Sequence, residues 1–515
     1  MVLRVTQQSI YGSVIRQNNA SLSNLMETNL QSSTQKRINA PSDDPNGAVS
    51  VLQTRCDISQ LTQYKRNITS ATGWLTQSDS ALSSVSSLIS TIKGYAEQGA
   101  TGSVTEENRD EIASAVRQYF QQLISLSNTT YNQNSIFAGQ KTDTEAFTQS
   151  LWMNSNDTAF DTAVAANNGF TLSGDSATTV LVQYTSVDTV GHQPGFDYST
   201  DGGTTWTAGS YNPAPSATTQ QLNLGGVTMT LDNNALDAVT ACADHNDTAG
   251  TWMWIRPTAV YNGNTNDDIA VTNTTSPATA VTGTATGNFT GNVNVRIDEN
   301  CDFSSATAFA FSYSTDGGRS WVTGNTSGIV DTVDAQVSLP VPGGSLTLVS
   351  NGAPLTAGNQ FFIQPSTADI SMAISPTDSV VVNGVGKDIF GGVSNGQVAT
   401  FEGSDQANLF ESVGKLVGYL ETNNQKGCQE ALDQLTASQE HVLTMAASVG
   451  ARENRVTAAG TMVDTLAENS NSTLSKVEDA DLSALITKLA QQELAYQAVL
   501  KSSSTVMNLS LLSYI

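Results

Sequence analysis

Residues 35–48 read QKRINAPSDDPNGA, and how this stretch is read decides how the chain is built. Lys36 and Arg37 precede Asp43 and Asp44, and Pro41 and Pro45 bracket the acids. Adjacent carboxylates pose a choice between a catalytic or metal-binding pair and a joint between two helices. Pro45 is barred from a helix interior but fits a first turn, and Asp44 before it has the short acceptor side chain of an N-cap. Asp43 adds a second negative charge at the same helix end, where the helix dipole favours it. Pro41 disfavours helix at Ala40 and so ends the preceding segment. The stretch predicts a helix, a rigid extended connector and a capped helix start. A catalytic pair would want pocket-building residues and a third polar partner nearby, and none is visible. Lys36, Arg37, Asn39, Asp43 and Asp44 are therefore expected to form a structural joint or subunit contact, with the two basic residues pairing with the aspartates or with a neighbouring subunit.

Beyond the joint, apolar residues recur every seven positions. Leu61, Ile68, Leu75, Leu82, Ile89 and Ala96 form one series, with Tyr64, Ala71, Val85 and Ile92 three residues after their partners. That is the a/d seam of a long packed helix. After GATGSVTEEN, the positions Ile112, Val116, Tyr119, Leu123 and Leu126 rebuild the seam, with Thr105 as N-cap and Glu106 and Glu107 in the first turn. At the other end, helical spacing runs through 409–420, 432–456 and, after VEDAD, through Leu482, Ile486, Leu489, Tyr496, Leu500 and Met507. The first thirty residues are helix-like but rich in Asn, Gln and Ser. Neither terminal stripe buries enough to stand alone, so the N- and C-terminal helices are expected to pack on one another.

Between the helical ends, residues 147–400 are rich in Thr, Ser, Gly, Asn and Val, in short alternating runs broken by glycine turns. The segment contains a duplication. FDYSTDGGTTWTAG (196–209) recurs as FSYSTDGGRSWVTG (311–324), and AGTWMWIRP (249–257) is answered by AGNQFFIQP (357–365). The expected fold class is α+β: a paired, coiled-coil-like bundle of N- and C-terminal helices with a large all-β insertion of two repeats, about 165–258 and 283–365.

Each repeat carries Ser-x-Asp-x-Gly-x-[Thr/Ser]-Trp, with Asp201 and Trp206 in the first and Asp316 and Trp321 in the second. The motif resembles the Asp-box of sialidases and other β-proteins. It reads as a hairpin device: the aspartate accepts bonds from turn amides, the glycines supply positive φ, and the indole packs under the turn. A sialidase needs an arginine cluster for the substrate carboxylate, and this insertion offers only Arg256, Arg296 and Arg319, the last within the box itself.

Charge narrows the partners. The chain has 22 basic and 47 acidic residues, a formal net charge of −25. Such a field repels phosphate backbones, so nucleic acid and anionic membrane are excluded as partners. Cys56, Cys242, Cys301 and Cys428 are far apart in sequence with no C-x-x-C pair. They read as buried or tolerated thiols, with a meeting of Cys242 and Cys301 left open. The three histidines (His192, His245, His441) have no ligand-spaced partners, so neither metal nor cofactor is expected. The opening MVLRVTQQSIYGSV lacks the apolar core of a signal peptide.

QKRINAPSDDPNGA resembles the N-terminal stretch of the flagellin superfamily, in the form typical of its hook–filament junction branch. The closing segment VEDADLSALITKLAQQELAYQAVLKSSSTVMNLSLLSYI is similar to that family's last helix, and NSIFAGQKTDTEAF, GKDIFGGV and VGARENRV also match. The resemblance covers about 1–147 and 386–515. It implies a structural protein rather than an enzyme, extracellular in the bacterial flagellum and exported through the flagellar channel without a cleaved signal peptide. It implies self-association in a ring, contact with flagellin and the other junction protein, and an export chaperone. It divides the chain into inner terminal helices (1–36 with 478–515), a helical bundle (37–147 with 386–477) and an outer β insertion (148–385). Bulk filament flagellin is the alternative reading, and a secreted glycosidase or glycan binder is the remote one.

Overall fold

The structure is a computed structural model; it describes residues 7–512 except 167–168, 217, 267–268, 275–280, 288, 290 and 402–407. The chain begins with helices α1 (Gln7–Thr34), α2 (Pro45–Gly99) and α3 (Glu106–Ser127). It ends with α7 (Leu409–Glu421), α8 (Gln425–Glu478) and α9 (Leu482–Leu512). Two compact units result: Met1–Ala71 with Met372–Val380 and Asn454–Ile515, and Thr72–Ser371 with Val381–Glu453. This division falls within α2 and α8, not at the joint. The opening six residues and the closing Ser-Tyr-Ile lie outside the described residues.

In the first unit α1 packs along α9. In the second, the seam positions of α2 from Leu75 to Ala96 are buried, as are Leu61, Ile68 and Ala71 in the first. Thr105 caps α3, its hydroxyl accepting from Asn108 N at 3.4 Å. The buried face of α3 departs from the expected one by one position: Ala113, Val116, Phe120 and Leu123 are buried, while Tyr119 and Leu126 stay half-exposed. Both rings sit on the same turn, and the tertiary partner decides between them. Phe120 meets Phe410 edge-on at 5.7 Å, whereas Tyr119 lies beside Tyr95.

After a small hairpin, β1 (Thr130–Tyr131) with β2 (Asn134–Ser135), the insertion is built twice. The first copy has β3 (Phe147–Ser155), α4 (Thr158–Ala166), β4 (Phe170–Gly174), β5 (Val180–Tyr184), β6 (Phe196–Ser199), β7 (Thr207–Ala208) and β8 (Ser210–Ser216). It continues with β9 (Thr219–Asn223), β10 (Val227–Asp232), α5 (Asn233–Asp237) and β11 (Trp252–Tyr261). The second copy has β12 (Ile269–Asn273), β13 (Val281–Gly287), β14 (Val293–Ile297), β15 (Ala310–Ser314), β16 (Val322–Thr326), β17 (Gln336–Val341), β18 (Gly344–Ser350) and β19 (Gln360–Pro365).

The strand orders coincide. One sheet of each copy runs β3–β11–β5–β6–β7 or β12–β19–β14–β15–β16; the other runs β4–β10–β9 or β13–β18–β17, with β8 added at the edge in the first. Alternation of buried and open positions along β10, β14 and β17 closes each pair of sheets over an apolar core. Val182, Met229, Leu231 and Ile255 fill the first, and Val295, Phe311, Leu348 and Ile363 the second. Each copy therefore opens with a strand, β3 or β12, that lies outside the repeat bounds read from sequence. The sequence likeness stops before those strands because they pair with the last strand of the unit and carry no turn motif. The insertion is also not all-β, since α4 and α5 lie within it.

Between the copies and α7 come α6 (Gly386–Phe390) and three short pairings involving β20 (Ser371–Ala373), β21 (Ser379–Val381), β22 (Val393–Ser394) and β23 (Gln397–Val398). β22 adds to the far end of β11 through Val260 and Val393.

Candidate functional site: the double connector

The joint anticipated at 35–48 is formed by two chain segments. α1 ends at Thr34, and Gln35 takes a left-handed φ of 58° that turns the chain out of the helix. The extended residues after it pair with the link between α8 and α9. Arg37 N donates to Glu478 O at 2.7 Å, and Ala480 N donates to Gln35 O at 3.0 Å. Lys36 and Asp479 form the central antiparallel bridge. Backbone groups left free by helix ends must find partners, and here the two interruptions satisfy each other.

Side chains add to this ladder. The Lys36 ammonium and the Arg55 guanidinium both reach Oε1 of Glu478, whose side chain is only 4% exposed while theirs are 42% and 47% exposed. Burial would push the Glu478 carboxyl up, but the bonds from Lys36 and Arg55 outweigh it and hold the carboxyl below the ordinary glutamate value. Arg37 spans the same link, donating to Val477 O through Nη2 at 2.8 Å and Nε at 3.3 Å. Its 3.6 Å contact with Asp44 is open to water and weak.

The two aspartates have separate tasks. Asp44 Oδ1 accepts from Gly47 N at 3.0 Å, an N-cap bond at the start of α2. Gly47 allows this close approach, because a Cβ there would sit 2.5 Å from both Asp44 Oδ2 and Ile38 Cδ1. Asp43 Oδ2 accepts from Asn39 N at 2.9 Å and Ala40 N at 2.8 Å, closing the turn ahead of the helix, and these amides lower its pKa. Asn39 Nδ2 ties back to Lys36 O at 3.0 Å. Below, Ile38, Ala48 and Val51 pack with Leu474 and Val477. Lys36 thus bonds Glu478 rather than Asp43 or Asp44, and Arg37 chiefly bonds backbone. Glu478 and Arg55 escaped the sequence reading; the only signal was the acidic VEDAD, 440 residues from Arg37 and taken there as a helix start.

Both Asp-boxes are closed turns. Asp201 Oδ1 accepts from Ser199 Oγ at 2.7 Å and Thr205 N at 2.9 Å, and Asp316 Oδ1 accepts from Ser314 Oγ at 2.8 Å and Ser320 N at 2.9 Å. Bonds from Thr205 lower the Asp201 pKa; those from Ser320, side chain first, lower that of Asp316 to about 2. Trp206 and Trp321 are half-buried rather than enclosed beneath their turns. Trp206 lies flat on His245, and Arg296 covers Trp321 at 4.6 Å. All four cysteines are free thiols, with Cys242 and Cys301 in different copies. Burial pushes the Cys428 thiol up to about 11. Among the described residues, no three His, Cys, Asp or Glu side chains converge as a metal site, and no helix is long and apolar enough to cross a membrane.

A bundle of terminal helices interrupted by one paired connector, with a β insertion between its halves, defines a class. Residues 4–142 match the bacterial flagellin N-terminal helical region. Within that class, the chain is similar to flagellar hook-associated protein 3 of Escherichia coli K12, 31% identical over 148 residues, or 28% of this chain and 47% of that protein. The match thus spans about half the length of that relative. Likeness to a flagellin of Salmonella rubislaw is lower, 23%, but covers 90% of this chain and 89% of the flagellin. The crystal structure of the flagellar junction protein from Legionella pneumophila aligns over 84% of this chain and 100% of its own, at 14% identity and a TM-score of 0.29.

Proposed function

We propose that the chain is a structural subunit of the bacterial flagellum, joining hook to filament. The observation that carries this reading is the match of residues 4–142 to the flagellin N-terminal helical region, beside a likeness to hook-associated relatives (31% over 148 residues) slightly above that to flagellins (30% over 135). The paired terminal helices add support. Ile15, Met26 and Leu30 on α1 and Leu482, Ile486, Leu494 and Leu500 on α9 are 43–69% exposed, an apolar surface that lateral packing of identical subunits would cover.

In this reading 1–36 with 478–515 line the inside of a tube, 37–147 with 386–477 form the next shell, and 148–385 face outward. Lys36, Arg37, Asn39, Asp43 and Asp44 set the angle at the connector and touch the neighbouring subunit. The partners are copies of the chain, the second junction protein, flagellin and an export chaperone. The location is extracellular, reached through the flagellar channel.

The reading as bulk filament flagellin is favoured by one observation, the likeness to a flagellin that runs over 475 residues. Immuno-gold labelling of intact flagella separates the two. Gold confined to the hook–filament boundary supports the junction reading, and gold along the filament overturns it in favour of flagellin. A glycosidase using the Asp-box carboxylates is disfavoured, because Asp201 and Asp316 spend their oxygens on their own turns.

A further inference from the structure

A cleft of about 740 Å³ opens on the first β copy, between its Asp-box turn, the loop before β11 and the α7–α8 link. Its walls are aromatic: Trp206, His245, Trp252, Trp254 and Tyr419. The rings are held in place. Trp206 and His245 stack with centroids 4.4 Å apart and planes 2° from parallel, while Trp252 stands edge-on to Trp206 at 5.9 Å and 82°. Trp252 Nε1 donates to Asp247 O at 2.6 Å, and His245 Nδ1 meets Gln183 Oε1 at 2.7 Å. The turn can approach α7 because Gly202 lacks a side chain; a Cβ there would stand 2.3 Å from Glu421 O.

The remaining wall is amide. The Asn246 side chain makes no hydrogen bond among the described residues, and the Asn423 and Asn424 side chains use only their oxygens. The Trp254 indole N–H is buried without a partner among those residues. No aspartate, glutamate, lysine or arginine lines the cleft.

We propose that this cleft binds a neutral saccharide. A sugar ring offers an apolar C–H face to stack on an indole and a rim of hydroxyls that both donate and accept, matching rings and amides in one wall. A phosphate or carboxylate ligand would need a cation, and the lining has none of the fixed ones. An entirely apolar ligand would leave the amides and the Trp254 N–H unpaired.

The duplication provides an internal comparison. In the aligned repeats Trp252 and Trp254 correspond to Gln360 and Phe362, and the Trp321 face is closed by Arg296. The second copy folds on the same strand order without these two indoles, so the β unit itself does not require them.

The test titrates full-length soluble monomer with maltotriose, cellotriose and triacetylchitotriose, with sialyllactose as the acidic control, followed by tryptophan fluorescence and calorimetry. The expected result is saturable binding of at least one neutral trisaccharide in the micromolar to millimolar range, and weaker binding of sialyllactose. Trp252→Gln and Trp254→Phe, which install the second copy's residues, should each weaken binding about tenfold or more, while Trp321→Phe leaves it unchanged. Circular dichroism checks the fold, and Asn246→Ala gives a second, polar probe of the same wall. No saturable binding of any neutral trisaccharide overturns the proposal, as does binding that Trp252→Gln and Asn246→Ala both leave intact.

Discussion

Glu478 is where the double connector is most exposed to perturbation, and Glu478→Gln removes one charge with almost no change in shape. In the wild type one carboxylate oxygen receives Lys36 and Arg55 together. The variant leaves those two cations facing a neutral amide. Removing one partner of a fully buried pair costs about 3–5 kcal/mol, whereas exposed pairs contribute about 0.2–1 kcal/mol. Here the acid is enclosed but both bases keep nearly half their exposure, so water screens part of the loss. The expected cost is about 2 kcal/mol, or about 4–8 °C in the melting of a unit of roughly 150 residues.

The measurement is thermal unfolding followed by helical circular dichroism across pH. Because the folded Glu478 carboxyl lies below its ordinary value of 4.5, its contribution is present above that pH and is lost as pH falls through the folded value. Wild type should therefore lose its advantage over the variant progressively below about pH 4.5. A double-mutant cycle with Lys36→Met should return a coupling above about 0.5 kcal/mol. A variant that melts with wild type at pH 7, or a gap that persists at pH 2, would refute the account of the joint.

Three further outcomes are expected. Arg256 is fully buried on β11 and bonds Glu411 of α7, with Asn154 Oδ1 2.6 Å from its Nε. Arg256→Met alone should cost about 3–5 kcal/mol, and adding Glu411→Leu should restore much of it, read by denaturant titration. Trp206→Ala and Trp321→Ala should each cost about 1–3 kcal/mol, because both indoles are half-buried rather than enclosed. Asp316, lowered to about 2 by its own turn, stabilises the second copy above the ordinary carboxylate range and stops doing so as pH falls toward 2; Asp316→Asn should flatten that acid limb in a pH series of melts.

Local signals in the chain were legible where their cause was local. Asp44 before Pro45, Thr105 before two glutamates and the seven-residue seam of α2 each specify structure within one or two turns. The repeats were legible because a hairpin turn needs the same Ser, Asp and Gly wherever it occurs. The rest depended on distance along the chain. Nothing near Lys36 indicates that its partner is Glu478, and nothing near Arg256 indicates Glu411. Phe120 and Tyr119 differ by one position, and only the presence of Phe410 chooses between them. β3 and β12 fall outside the repeat bounds for the same reason, since each is defined by the strand it joins.

The two copies also explain why one charged pair is buried at all. Their last strands align as WMWIRP and QFFIQP, so Arg256 stands where the second copy has Gln364. β11 packs against α7, and Glu411 is presented from that helix into the sheet. Burial raises the cost of the Glu411 charge, yet Arg256 and then Lys415 more than offset it and keep the carboxyl below its ordinary value. Among the described residues β19 packs chiefly on β12 and β14, and Gln364 stands uncharged at the matching position. A buried ion pair is weak evidence for stability, because two apolar residues would serve as well, but it is demanding about geometry. The geometry of the pair fits the first copy to α7, since Gln364 at the matching position of the second copy carries no charge to meet Glu411. An insertion built twice would otherwise offer the helix two similar sheets, and exchanging Arg256 with Gln364 should weaken the docking of the first copy on α7, read as a lower denaturant midpoint than wild type.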